Sequence, residues 1–150
     1  MRVLIVESDR EASESMAATV TRRGGTPMVV SNANDVRAVV TCSPPDLILL
    51  DLDLPDADAL NLLVELKTSW RTRSIPVVAT SAFEDHDLVA VCAGLGAEGY
   101  FAGPGRSSWL GRLLAGLEIG MVGVGAAERE LPASTSHIYV ASPRWNRYVC

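Results

Sequence analysis

A chain of 150 residues is long enough for one domain and a short appendage, and with 48% hydrophobic and 21% charged residues it can bury a core of its own, which excludes global disorder. A formal net charge of -5 argues against a nucleic-acid surface, and no apolar run approaches the ~20 residues of a membrane span, so neither partner is expected. Cys42, Cys92 and Cys150 lack metal or redox spacing and no leader-like segment opens the chain, so a reduced, cytoplasmic protein is the simplest expectation.

Arg2 to Val6, RVLIV, reads as a buried strand and runs into Glu7, Ser8 and Asp9. Ser8 or Asp9 caps a helix in which Ala12, Met16 and Val20 recur every four residues. Arg22 and Arg23 suit its last turn, and Gly24-Gly25 stop it. Pro27 to Val30 is a short strand, and Asn32 or Asn34 starts a helix through Val36, Val39 and Val40 that ends before Pro44.

The next stretch, PPDLILLDLDLPDAD from Pro44 to Asp58, holds the apolar run Leu47 to Leu50 and then Asp51. Bounded by turn formers, it reads as a strand buried on both faces, as parallel sheets require. Asp58 caps a third helix with Leu60, Leu63, Val64 and Leu66 inside. Ile75 to Thr80 is a strand leading into Ser81-Ala82, Glu84 to Ala93 is helical, and Gly94 and Gly96 end that helix. Glu98 to Ala102 is the last strand of the series, and Ser107 or Ser108 caps a helix through Trp109, Leu113, Leu114 and Leu117. Alternating strands and helices of this kind form an α/β, doubly wound parallel sheet.

The pattern divides the chain into a domain over residues 1–120 and a linker with an aromatic tail over 121–150. The tail carries Tyr139, Trp145 and Tyr148, has no acid after Glu130, and offers Ile138 to Ala141 as a strand. Either it packs back on the domain or it is a sticky segment for a partner or for self-association into a homodimer.

Ligands of open parallel sheets bind at the C-terminal strand ends. Those ends carry Glu7, Asp51 and Ser81, with Tyr100 on the last strand. The motifs LIVES, DLILLDLDLP, IPVVATSA and GAEGYFAGP follow one another in order, and this set resembles the receiver domain of bacterial two-component response regulators from residue 2 to about residue 118. The resemblance implies a flavodoxin-like fold with five parallel strands in the order 2-1-3-4-5. It also implies a signalling role in a phosphorelay rather than an enzyme, with a histidine kinase or a downstream effector as partner.

By the same resemblance, Asp51 is the phosphoacceptor, Ser81 hydrogen-bonds a phosphoryl oxygen, and Tyr100 is the aromatic that packs in or out as a readout. The acidic pair that holds Mg²⁺ in the family falls on Glu7 and Ser8, and the lysine that faces the phosphoryl group falls on Gly103, before a Pro104 whose peptide bond is usually cis. These residue types have a reason: an anionic nucleophile repels an anionic donor unless cations neutralise the pocket.

Two of those positions depart from the family pattern. Ser8 is a poor substitute for a metal-binding carboxylate, and Gly103 carries no charge. Lys67, the only lysine among 13 basic residues, lies on the third helix, on the opposite side from the strand ends, while Arg106 is the basic residue close in sequence. Asp9 and Asp53 join Glu7 and Asp51 as candidate Mg²⁺ ligands for a site that is weak or absent. The expectation is an atypical receiver that acts as a protein–protein switch or binding module with impaired or absent Asp51 phosphorylation. The alternative is a phosphorylation-competent response regulator using Asp51. The Asp51-x-Asp53 spacing also resembles the nucleophile motif of haloacid-dehalogenase-type phosphatases, a weaker reading because that family needs a late lysine.

Two decoys are set aside. The GxGxxG of Gly94 to Gly99 follows a helix and precedes a strand, the reverse of a dinucleotide site. The acids Asp51, Asp53, Asp56 and Asp58 fail as a calcium loop because Pro55 occupies a ligand position.

Overall fold

Strands that must be dry on both faces need helices on both sides, and the chain supplies them. The computed structural model describes residues 1–55, 58–83, 85–103, 106–119 and 137–140, with the side chains of 106–108, 116–119 and 137–140 outside that description. Strands β1 (Arg2–Val6), β2 (Thr26–Val30), β3 (Leu47–Asp51), β4 (Val77–Ser81) and β5 (Gly99–Ala102) run parallel in the order β2-β1-β3-β4-β5. Helices α1 (Arg10–Arg22), α2 (Ala33–Cys42), α3 (Ala59–Thr68), α4 (His86–Gly94) and α5 (Arg106–Ile119) complete the alternation. None of the described helices is long and apolar enough to cross a membrane.

The two-residue period of the strands divides the core in two. Val3, Ile5, Leu47, Leu49, Val78 and Phe101 pack with Met16 and Val20 of α1 and with Trp109, Leu110, Leu113 and Leu114 of α5. Trp109 stacks on Phe101 with ring centroids 4.2 Å apart. Leu4, Val6, Ile48, Leu50, Val77, Ala79 and Tyr100 face the other way, toward α2, α3 and α4.

Caps set several boundaries. Asp9, not Ser8, starts α1, its Oδ1 accepting the Ala12 N–H at 2.7 Å. Asn32 starts α2 and Asp58 starts α3. Helix α4 begins at His86 rather than at Glu84, because the Asp85 carboxylate accepts the Asp87 and Leu88 N–H groups. The stripe that α3 buries is Ala59, Leu62, Leu63 and Leu66, with Leu60 and Val64 only partly buried on its flank. Helix α5 begins at Arg106, ahead of the expected Ser107 or Ser108 cap; those serine side chains and that of Leu117 lie outside the described residues.

Strand β4 starts at Val77, two residues after the expected Ile75, for a local reason. The Ile75 N–H is spent on Thr72 O, and its carbonyl accepts Lys67 Nζ at 3.0 Å. That ammonium also donates to Arg73 O and to Glu98 Oε1 at 2.9 Å, while Glu98 Oε2 accepts the Val77 N–H at 2.8 Å. The lone lysine therefore ties the end of α3 to the N-terminal ends of β4 and β5.

A sixth strand, β6 (His137–Val140), runs antiparallel along the outer edge of β5, with Gly99 opposite Val140 and Ala102 opposite His137. Of the two readings of the tail, these four residues follow the one in which it packs back. The linker and the aromatics Trp145 and Tyr148 lie outside the described residues.

Replacing Lys67 by Met strands the mostly buried Glu98 carboxylate and the Ile75 carbonyl. The expected loss is about 3 kcal/mol of stability, read from urea unfolding midpoints. Arg10→Ala, which removes a fully surface-exposed i,i+4 pair with Glu14, should change stability by less than about 0.5 kcal/mol.

Candidate functional site

Register brings the polar strand ends into one row. Val6 pairs with Leu50, so the next residues, Glu7 and Asp51, emerge side by side. Asp51 itself pairs with Thr80, which puts Ser81 one step further along, and Ser81 pairs with Ala102. The Gly103 N–H then donates to Ser81 O at 3.1 Å and closes the row.

Glu7 and Asp51 are each only 2% exposed. A carboxylate so placed must be hydrogen-bonded to be tolerated. Glu7 Oε1 accepts the Asp9 N–H at 2.9 Å, and Asp51 Oδ1 accepts the Asp53 N–H at 3.1 Å. The second of these is a local Asx turn that bends the chain as it leaves β3.

Asp53 faces Ser81. Its Oδ2 accepts the Ser81 hydroxyl at 3.3 Å and the Ala82 N–H at 3.2 Å. Ser81 Oγ in turn accepts the Phe83 N–H at 3.1 Å, and the Tyr100 hydroxyl donates to Phe83 O at 3.2 Å. Tyr100, expected either in or out, is in, on the α4 side of the sheet. Burial pushes its phenol above the usual tyrosine range; the Ser81 hydrogen bond opposes that shift, and the negative charges of Asp85 and Asp53 add to it.

The candidate Mg²⁺ ligands do not assemble into one cluster. Among the described residues no three His, Cys, Asp or Glu side chains converge closely enough to hold a metal ion. Asp9 is committed to the cap of α1 and Asp53 to Ser81 and Ala82. Mg²⁺ demands near-octahedral oxygen ligands at about 2.0–2.1 Å, and this arrangement of the four acids does not fit it. Ser8, exposed at the position where the resemblance puts an acid, adds no carboxylate.

Nor does a lysine reach the row. Lys67 sits at the opposite edge of the sheet, in its pair with Glu98. Gly103 has φ of 111°, a backbone region that side-chain-bearing residues rarely adopt, so the missing lysine is missing in backbone conformation as well as in charge. The Arg106 side chain and the Gly103–Pro104 peptide lie outside the described residues.

Sequence reasoning placed Glu7, Asp51, Ser81 and Tyr100 in one region, and the structure brings them together. It had Asp53 as a metal candidate and missed its bond to Ser81 and Ala82. The available signal was the Asp-x-Asp spacing after a buried strand, which turns the second acid back over the strand end.

The chain is similar to known proteins along most of its length. A family model described as the response regulator receiver domain matches residues 3–112. The transcriptional regulatory protein BaeR of Escherichia coli is 34% identical over 104 residues, 69% of this chain and 42% of that protein. KdpE of Mycobacterium tuberculosis, also a transcriptional regulatory protein, is 29% identical over 131 residues, 87% of this chain and 55% of that protein. The chain thus spans roughly half the length of these relatives.

Among solved structures, the signal receiver domain of a DNA-binding response regulator from Colwellia psychrerythraea superposes with a TM-score of 0.74 at 23% identity, covering 79% of this chain and 98% of that one. The BeF3-activated receiver domain of Klebsiella pneumoniae RstA gives 0.68 at 24% identity, covering 79% and 97%. At such identities these two likenesses speak for the fold alone.

The raised Tyr100 phenol has a consequence for pH. A group whose folded value lies above its unfolded one contributes stability that is complete below the unfolded value, 10.0 for tyrosine, and is lost as pH rises through the folded value. The Tyr100 ring carbon bearing oxygen should therefore titrate in NMR at a higher pH than that of an exposed tyrosine. Tyr100→Phe should remove its share of the alkaline loss of stability.

Proposed function

The chain belongs to the response regulator receiver domain family, and on that premise we propose that it is an atypical receiver, a protein–protein switch or binding module in which phosphorylation of Asp51 is impaired or absent. Receiver domains of this family are signalling modules of two-component phosphorelays, not classical enzymes. The observation that carries the proposal is the loss of built-in charge around the acceptor: Ser8 where the family has an acid, and Gly103, at a φ that favours glycine, where it has a lysine.

Removing one charge-assisted partner from an anion costs roughly 1.5–3 kcal/mol. Two such losses together slow transfer by a factor on the order of 10² or more. The arrangement of Glu7, Asp9, Asp51 and Asp53 supports a Mg²⁺ site that is weak or absent.

The partner in this reading is a signalling protein, a histidine kinase or a downstream effector, met in the cytoplasm. In this reading its docking face is α4, β5 and α5, with the outer edge of β5 already paired with β6. Contact through α4 and the loop before it is better supported, since Phe83 and Val91 are exposed there. In this reading residues 121–150 form a linker and an aromatic tail, with tail exchange as a route to a homodimer.

The competing reading, efficient phosphorylation of Asp51, draws on Asp51 and Ser81 standing in one row. The phosphatase reading has no such support, because the one lysine is held by Glu98 at the wrong edge of the sheet.

Intact-mass analysis after incubation with acetyl phosphate and Mg²⁺ separates the readings. The expected result is little or no phosphoryl adduct; a stoichiometric adduct that disappears in Asp51→Asn overturns the proposal. Ser8→Asp combined with Gly103→Lys should raise the yield. The second change costs about 1–2 kcal/mol of backbone strain at its present φ, so Ser8→Asp alone is the cleaner of the two arms.

A further inference from the structure

Two hydrogen-bond donors stand beside Asp51 at the end of β4, the Ser81 hydroxyl and the Ala82 N–H, and both are turned onto the Asp53 carboxylate, at 3.3 and 3.2 Å. From this we infer that Asp53 is a built-in anion that keeps residues 81–83 and Tyr100 in this arrangement without any group being added to Asp51. The inference deepens the reading of a phosphorylation-independent module and rests on it for its biological sense.

The coupling runs through four consecutive hydrogen bonds. The Asp53 N–H is held by Asp51 Oδ1 at 3.1 Å, so the turn that leaves β3 aims Asp53 across to β4. With its proton given to Asp53, Ser81 Oγ accepts from the Phe83 N–H at 3.1 Å, which curls the chain back over the hydroxyl. The curl presents Phe83 O inward, where the Tyr100 hydroxyl reaches it at 3.2 Å. The Phe83 side chain is thrown outward, 74% exposed, while the Tyr100 ring is only 2% exposed.

A carboxylate is suited to this task because it accepts from both donors at once, and a hydrogen bond to an ionised acceptor is stronger than a neutral one. The same contact has a second effect. An anionic group attached to Asp51 would need donors at this strand end, and those of Ser81 and Ala82 are already engaged by a negative charge. Asp53 thus holds this arrangement and opposes the entry of a competing anion. The residue acts through Ser81 and is a positioning residue.

Amide hydrogen exchange and ring resonances of the full chain, measured by NMR with no phosphodonor present, test the inference. Asp53→Ala should accelerate exchange at Ala82 and Phe83 by about tenfold, the size expected for one lost charge-assisted bond, and should shift the Tyr100 ring resonances. Asp53→Asn, which keeps an acceptor oxygen and loses the charge, should fall between. In the double variant Asp53→Ala, Ser81→Ala, the Tyr100 shift should be no larger than in either single variant. Unchanged Ala82 and Phe83 exchange in Asp53→Ala, or additive Tyr100 shifts in the double variant, overturns the inference. Asp53 is exposed, so the variants are expected to fold, and unaltered exchange in the β1 and β3 amides checks that they do. Because no phosphodonor enters, the outcome is independent of whether Asp51 takes up a phosphoryl group, and the two proposals fail separately.

Discussion

The site depends on one constraint of register: β3 lies between β1 and β4 with both faces covered, so its last residue can only be polar at the edge. Leu47 to Leu50 are fully buried, alternate residues going to opposite halves of the core. A slip of one residue would exchange the two faces and withdraw Asp51 from the row that it shares with Glu7 and Ser81. The apolar strands therefore do more than hold the sheet together. They set the spacing of the carboxylates, and the cost of burying those carboxylates makes the amides of Asp9 and Asp53 part of the site.

Charge is distributed over the molecule in a way that follows from this. The acids cluster at the C-terminal edge of the sheet, and the single lysine is used at the other edge, where it satisfies two carbonyls and Glu98. The family places a cation and a metal-binding acid near the acceptor. This chain has a serine and a glycine at those points, and it adds a carboxylate, Asp53, whose partners are the donors of Ser81 and Ala82. Asp53, Ser81, Phe83 and Tyr100 are thereby joined in one run of hydrogen bonds.

The sheet edge at β5 adds a second layer. An uncovered edge strand offers unpaired N–H and C=O groups to any strand that can reach it. Here β6 takes that place in antiparallel register, so a partner approaching from this side meets α4, the loop before it and an occupied edge. Beside that edge Phe83 is exposed, and its carbonyl accepts the Tyr100 hydroxyl.

The fold was legible from the chain itself because its determinants are local: four-residue apolar repeats for helices, continuous apolar runs for parallel strands, and caps at Asp9, Asn32 and Asp58. The row of Glu7, Asp51 and Ser81 was legible for the same reason, since parallel strands of similar length put their ends together. What pattern could not supply were choices made by partners distant in sequence. The α3 stripe was set by its packing against the core, and the Tyr100 hydroxyl was taken up by Phe83 O, 17 residues away. Asp53 was given to Ser81 and Ala82, some 28 residues away. A side chain's type limits what it can bind, but which of several competent groups it meets is decided only when the strands are laid side by side.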